Sequence, residues 1–238
     1  MDAAAGESTR RVPTRLGHLF VRTIDQTAGG QTAVLMPSMF VDTHTFDPLI
    51  PYLTEARRLV LIDGPGLGGS DPLRRLTSIT EVVDAVRDAF LALEIDEPVD
   101  FVGNAFGGHI GYKLARDPGL LRSLVAVSAP PEPNPRHIIR QTKSLLPLMA
   151  LLGRKPILQP LSAKMLTPES AQNPEIWEIF RTGFLAPTRR SMANATRSFV
   201  LPRPDVRGEL SDICVPTLLV ASDQRGEWPR TLHKRRDP

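Results

Sequence analysis

Few residues in this chain of 238 can do chemistry, and they lie far apart in sequence. Histidine is the side chain that moves protons near neutral pH. His44 follows an apolar run, His109 opens a helical stretch, and His233 lies in a stretch with no apolar period. Two carboxylates, Glu132 and Asp223, each follow a strand-like run and are candidate acids. A serine nucleophile needs a base beside it, and neither Ser38 nor Ser70 has one near it in sequence. The run Gly64–Gly69 lacks the Lys-Ser/Thr pair of a phosphate cradle. Cys214, the lone cysteine, excludes an internal disulfide and a cysteine metal cluster. It is expected to be a small buried apolar residue. No cofactor or metal is implied.

The elements that would position these groups alternate along the first half. His18–Ile24 reads as a strand. Thr32–Met36 and Arg58–Ile62 are short, nearly continuous apolar runs, the pattern of strands buried on both faces. Ser78-x-x-Glu81 is a capping box ahead of Ile79, Val82, Val83, Val86, Phe90 and Leu93, which share one helical stripe. Val99–Val102 is a strand, Gly103–Gly108 a turn, Ile110–Ala115 a helix and Ser123–Val127 a further strand. This alternation predicts a parallel sheet covered on both faces. From Pro130 to Pro204 the chain holds 12 of its 23 prolines. Helical pieces at Leu145–Leu152, Glu175–Phe184 and Ser191–Phe199 mark this stretch as an insertion. Val215–Ala221 resumes the strand pattern.

Three segments in order resemble the α/β-hydrolase superfamily over about residues 15–224: Asp63-Gly64-Pro65-Gly66-Leu67-Gly68-Gly69-Ser70-Asp71, Gly103-Asn104-Ala105-Phe106-Gly107-Gly108, and Val215-Pro216-Thr217-Leu218-Leu219-Val220. The resemblance implies an α/β fold: a mostly parallel sheet with flanking helices and a helical cap. Residues 1–130 and 205–224 would form the core, 131–204 the cap and 225–238 a basic irregular tail. It places the nucleophile elbow at residue 105, a strained turn at the sheet's C-terminal edge. Backbone N–H groups of Phe106 and Met39 would form the oxyanion hole, with Pro37-Ser38 where the family often has His-Gly. Trp177, Phe180, Phe184 and Met192 either line the pocket or pack the cap.

The family chemistry is hydrolysis of ester-type bonds in small molecules, yet the residue at the nucleophile position is Ala105. A methyl group cannot attack a carbonyl. Arg225 stands where the acid is expected, with Asp223 two residues away and Glu132 as an alternative. The triad histidine is missing, and the pattern stops one strand and one helix short, as in a truncated chain. His44 and His109 remain as substitute acid–base groups. The chain thus reads as an impaired hydrolase. The alternatives are a non-catalytic binder of a small ligand or a partner, and an enzyme of lyase or proton-transfer type.

Charge excludes one partner class. The last 14 residues hold five basic and two acidic side chains and so carry the whole net charge of +3. The folded body is neutral and offers no basic face for nucleic acid. The N-terminus is not a signal peptide, and Leu145–Leu152 is too short to span a bilayer. A cytoplasmic protein is expected, with Thr217–Ala221 as an apolar sheet edge open to self-association.

Overall fold

A computed structural model describes residues 6–26, 30–55, 57–152 and 154–221. Asp223, Arg225, His233 and the basic tail lie outside the described residues.

The sheet has seven described strands in the order β1-β2-β4-β3-β5-β6-β7. They are β1 (Glu7–Thr14), β2 (Gly17–Ile24), β3 (Gln31–Met36), β4 (Arg57–Ile62), β5 (Val99–Asn104), β6 (Leu121–Val127) and β7 (Thr217–Val220). β1 and β2 form an antiparallel hairpin, and β2 pairs antiparallel with β4. From β4 to β7 every pairing is parallel. The helices are α1 (Ile50–Leu53), α2 (Ile79–Ala92), α3 (Phe106–Leu114), α4 (Arg136–Leu152), α5 (Lys155–Met165), α6 (Pro168–Gln172), α7 (Pro174–Leu185) and α8 (Arg189–Ala195). This is the expected mostly parallel α/β sheet with flanking helices. The run α4–α8 forms the helical insertion between β6 and β7.

The strands expected from apolar runs are all present, within two residues at each end. β3 and β4 are central, and Val34, Leu35, Val60 and Leu61 are fully buried, which explains their unbroken apolar runs. The capping box of α2 forms as its sequence predicts. Ser78 Oγ accepts from the Glu81 N–H (3.2 Å) and Glu81 Oε2 from the Ser78 N–H (2.9 Å). β1 has no apolar run. Along it only Val12 is buried, and pairing with β2 holds it in place. Arg22 of β2 reaches Glu7 of β1 at 2.8 Å and Asp47 of the turn Thr43–Leu49 at 2.7 Å.

Two expectations are corrected. Cys214 is exposed, not buried. It precedes β7, one of the two edge strands among the described residues, where Leu218 is 58 % exposed, so little packs over it. The helix expected at Ile110 begins at Phe106, because Gly107 and Gly108 are there for packing and do not break the helix.

That packing sets the geometry of the site. A Cβ on Gly103 would stand 2.3 Å from the Gly107 carbonyl carbon, and one on Gly107 would stand 2.2 Å from Met36 O. Both obstacles are backbone, which cannot swing aside. Gly107→Ala should therefore cost about 3 kcal/mol or more of stability. Gly208→Ala, with nothing within 4 Å of its new Cβ, should stay within about 0.5 kcal/mol of the parent. Urea unfolding midpoints of the two variants check this.

Candidate active site

The chain turns from β5 into α3 through one residue. Ala105 has φ 46° and ψ −98°, a combination that residues bearing a Cβ adopt only under strain. Its N–H donates to Val127 O of β6 (2.8 Å), and its carbonyl accepts from the His109 N–H (3.1 Å). The residue is thus clamped between strand and helix. The first N–H groups of α3 have no intrahelical acceptor and point outward with the positive end of the helix dipole.

One strand over, Ser128 has φ 49°, and its N–H donates to Val220 O (2.8 Å). Ala105 and Ser128 thus sit side by side at the C-terminal edge of parallel strands. This is where ligands of open α/β sheets bind.

The loop after β3 is held from below by Asp63. That carboxylate is buried and accepts from the Thr43 and Gly69 N–H groups, both at 2.8 Å. Burial pushes its pKa up to about 6. Asp63 thereby locks the loop carrying Met39 to the glycine-rich loop after β4. Gly68 makes this possible: at φ 49°, any Cβ there would stand 2.0 Å from Asp63 Oδ2.

The insertion is fastened to the same loops. Ser191 Oγ donates to Gly66 O (2.9 Å) and accepts from the Leu73 N–H (2.9 Å). Asn194 Nδ2 reaches Leu73 O (2.9 Å), and Ser198 Oγ accepts from the Thr77 N–H (3.0 Å). At its stem, Asn134 Nδ2 donates to Val200 O (2.6 Å), Arg203 Nε to Glu132 O (2.8 Å) and the Val206 N–H to Pro131 O (2.9 Å).

Between insertion and sheet edge lies a cavity of about 490 Å³, within the usual range for small-molecule pockets. Ala105, Ser128 and Asn104 line its floor, and Met39 and Ser38 one wall. Leu161, Met165, Ile176, Ile179 and Phe180 form the roof. Phe199 closes one side from the π-turn Thr196–Val200, its ring 4.7 Å from that of Phe106.

The structure brings together Ala105, Phe106, Ser38, Met39, His109 and Phe180 of the residues singled out in the sequence. Trp177 packs behind Phe180 (6.0 Å), while Phe184 and Met192 are fully buried; none of the three is among the lining residues. His44 also lies off the cavity. Its ring pairs with Asp42 (3.1 Å), and that hydrogen bond raises its pKa. Glu132 is used through its carbonyl at the stem. Ser70 is tied to the glycine-rich loop, donating to Asp63 O (2.9 Å).

His109 is buried. Its Nδ1 lies 2.9 Å from Ala105 O and its Nε2 2.9 Å from Pro130 O. The ring sits between the elbow and the first residues of the insertion, and in its neutral form it donates its single N–H to one of these carbonyls. Burial lowers its pKa, with Arg203 adding to the effect.

Sequence reasoning missed Ser128, Lys164, Phe199 and Arg203, all of which line the cavity. Ser128 had a signal, because it follows a parallel strand at the ligand-binding edge. Lys164, Phe199 and Arg203 had none, because the fold of the insertion brings them there.

A sequence model of the alpha/beta hydrolase family matches residues 28–237. The enol-lactonase from Burkholderia xenovorans LB400 superposes with a TM-score of 0.79 at 18% identity, covering 90% of this chain and 80% of that one. A hydrolase from Pseudomonas aeruginosa PA01 gives 0.76 at 23% identity, covering 92% and 81%. A thermophilic esterase from Thermogutta terrifontis gives 0.75 at 17% identity, covering 90% and 79%.

Strain at the elbow is measurable. Glycine accepts φ 46° without a Cβ penalty, so Ala105→Gly should stabilise the fold by about 1 kcal/mol after the loss in chain entropy. That is a rise of about 2–4 °C in Tm for a domain of this size, read by calorimetry.

Burial of His109, which outweighs its contacts with the Pro130 and Ala105 carbonyls, gives the fold a pH dependence. With its folded pKa lowered, the unfolded chain binds more protons once pH falls below about 6.5, so stability is lost as pH drops through that window. Asp63 works in the opposite direction. Its raised pKa favours the folded state at low pH, a contribution lost as pH rises through about 6. Comparing the parent with His109→Gln isolates the histidine. The parent should lose more stability between pH 7.5 and 5.5 than the variant, as urea unfolding at the two pH values would show.

Proposed function

This chain belongs to the alpha/beta hydrolase family, and from that premise we propose that it binds a small molecule in the cavity without serine-type acyl transfer. Ala105 carries this reading. It stands at the strained turn where the family's nucleophile belongs, and its methyl group has no lone pair to offer. The elbow, the N–H groups beside it and the roofed cavity support ligand binding on their own. Relatives named as an esterase and an enol-lactonase support ester-like or lactone-like molecules as the class.

The proton-transfer alternative is weaker. His109 is the one histidine among the described lining residues. Both of its ring nitrogens face backbone carbonyls, so neither is turned toward a substrate. It serves as a positioning residue.

Hydrolysis of p-nitrophenyl butyrate is the direct test. The parent should match a heat-denatured control within about twofold. Ala105→Ser should gain less than about tenfold, because among the described lining residues His109 is the one histidine and its ring nitrogens face backbone carbonyls, which leaves the new hydroxyl without a base there. A parental kcat near 1 s⁻¹, at the low end of ordinary enzymes, would refute the reading.

A further inference from the structure

The polar side chains that line the cavity fall into two groups. Most are spent on the protein itself. Thr45 Oγ1 donates to Asp42 O (2.8 Å), Asn134 Nδ2 donates to Val200 O (2.6 Å), and both ring nitrogens of His109 face backbone carbonyls. Arg203 is engaged at the stem by Glu132, whose carbonyl accepts from its Nε (2.8 Å) and whose carboxylate offsets its charge. Lys164 is exposed and belongs to α5, on the roof. Ser38, Asn104 and Ser128 form the second group. Each is a half-buried lining residue, and none of their side chains has a hydrogen-bond partner among the described residues.

These three come from neighbouring strands and meet at one edge. Asn104 is the last residue of β5, Ser128 follows β6, and Ser38 stands two residues past β3. β3, β5 and β6 are consecutive in the sheet, with Met36 opposite Gly103 and Asn104 opposite Val127. The three therefore gather around Ala105. Ser128 is moreover held at φ 49°, a conformation that is costly for a residue with a Cβ and that gathers where ligands are held. An amide side chain both donates and accepts, and so does each hydroxyl. Polar groups in an apolar-walled cavity gain when a ligand matches them and cost when it covers them unmatched. An ester carbonyl matches donors only, which leaves Asn104 Oδ1 and the serine lone pairs covered. A carboxylate also matches donors only, and among the described floor residues it meets no cationic side chain. A carbonyl with a donor beside it matches both.

We infer that Ser38, Asn104 and Ser128 form a hydrogen-bonding site that selects an uncharged carbonyl compound with a donor next to its carbonyl, such as a carboxamide or an α-hydroxy ester, on an apolar body. This rests on the ligand-binding reading above and narrows its ligand class. No covalent step is involved.

Octanamide, methyl heptanoate and octanoate are nearly equal in size and differ in head group, so they serve as probes in calorimetric titrations of the full chain at pH 8, where the acid is ionised. Octanamide should bind at least about threefold more tightly than either of the others, the worth of one hydrogen bond. Asn104→Ala should bring the ratio of octanamide to ester affinity to about twofold or less. Ser128→Gly should do the same with Tm unchanged or raised, because glycine accepts φ 49° without a Cβ penalty. A preference lost in a fold of undiminished stability does not come from loss of structure. A parental ratio below about threefold against either probe overturns the head-group selection and leaves the ligand-binding reading standing. A preference that survives both substitutions overturns the assignment to these side chains. Binding of none of the three overturns both readings.

Discussion

The close approach of α3 to the ends of β3 and β5 governs this molecule. Gly103 and Gly107 let helix and strand backbones come nearer than any Cβ would permit. That nearness forces the chain to turn within one residue, and the turn puts Ala105 at φ 46°. The same turn exposes the first N–H groups of α3 at the sheet's C-terminal edge. Backbone sterics therefore decide where the site is, before any catalytic side chain is chosen. A substitution at position 105 changes the chemistry available there and leaves the placement intact.

The insertion depends on the elbow in turn. His109 and Tyr112, both on α3, reach the carbonyls of Pro130 and Ala129, where the insertion departs. Ser191, Asn194 and Ser198 fasten its far end to the loop after β4 and to the segment leading into α2. Most of these bonds join a side chain to backbone, so they fix position without requiring a matching side chain opposite. An insertion with many prolines and short helices can be held this way, because each clasp is local. The cavity is the space left between a floor set by sterics and a roof set by these clasps.

What the sequence reveals follows from how each element is stabilised. β3 and β4 are buried on both faces, so their apolar runs announce them. α2 announces itself through Ser78, Glu81 and its apolar stripe. β1 is stabilised by its partner strand and by the Arg22 ion pairs, and neither leaves a local pattern. α5 carries Pro156 at its start and Pro160 inside, so its sequence looks like an interruption. The floor of the site was legible, since Ala105 belongs to a motif of fixed spacing, and Met39 on the wall was placed by its position just after β3. The roof was half legible. Phe180 was found, but Trp177, Phe184 and Met192 belong to the packing behind it. A helix stripe shows that residues are apolar and does not show which of them faces a void.

The strain at Ala105 bears on what the site is for. A chain relieved of any need for the elbow would relax fastest by placing glycine there, since glycine removes a penalty of about 1–3 kcal/mol. Alanine keeps the penalty and keeps a Cβ aimed into the cavity. The glycines at 103, 107 and 108, the buried Asp63 beneath the Met39 loop and the clasps of the insertion are all present as well. Each is costly or easily lost on its own. Together they maintain a roofed apolar cavity with a polar floor, a shape suited to holding a ligand even where its floor carries a methyl group.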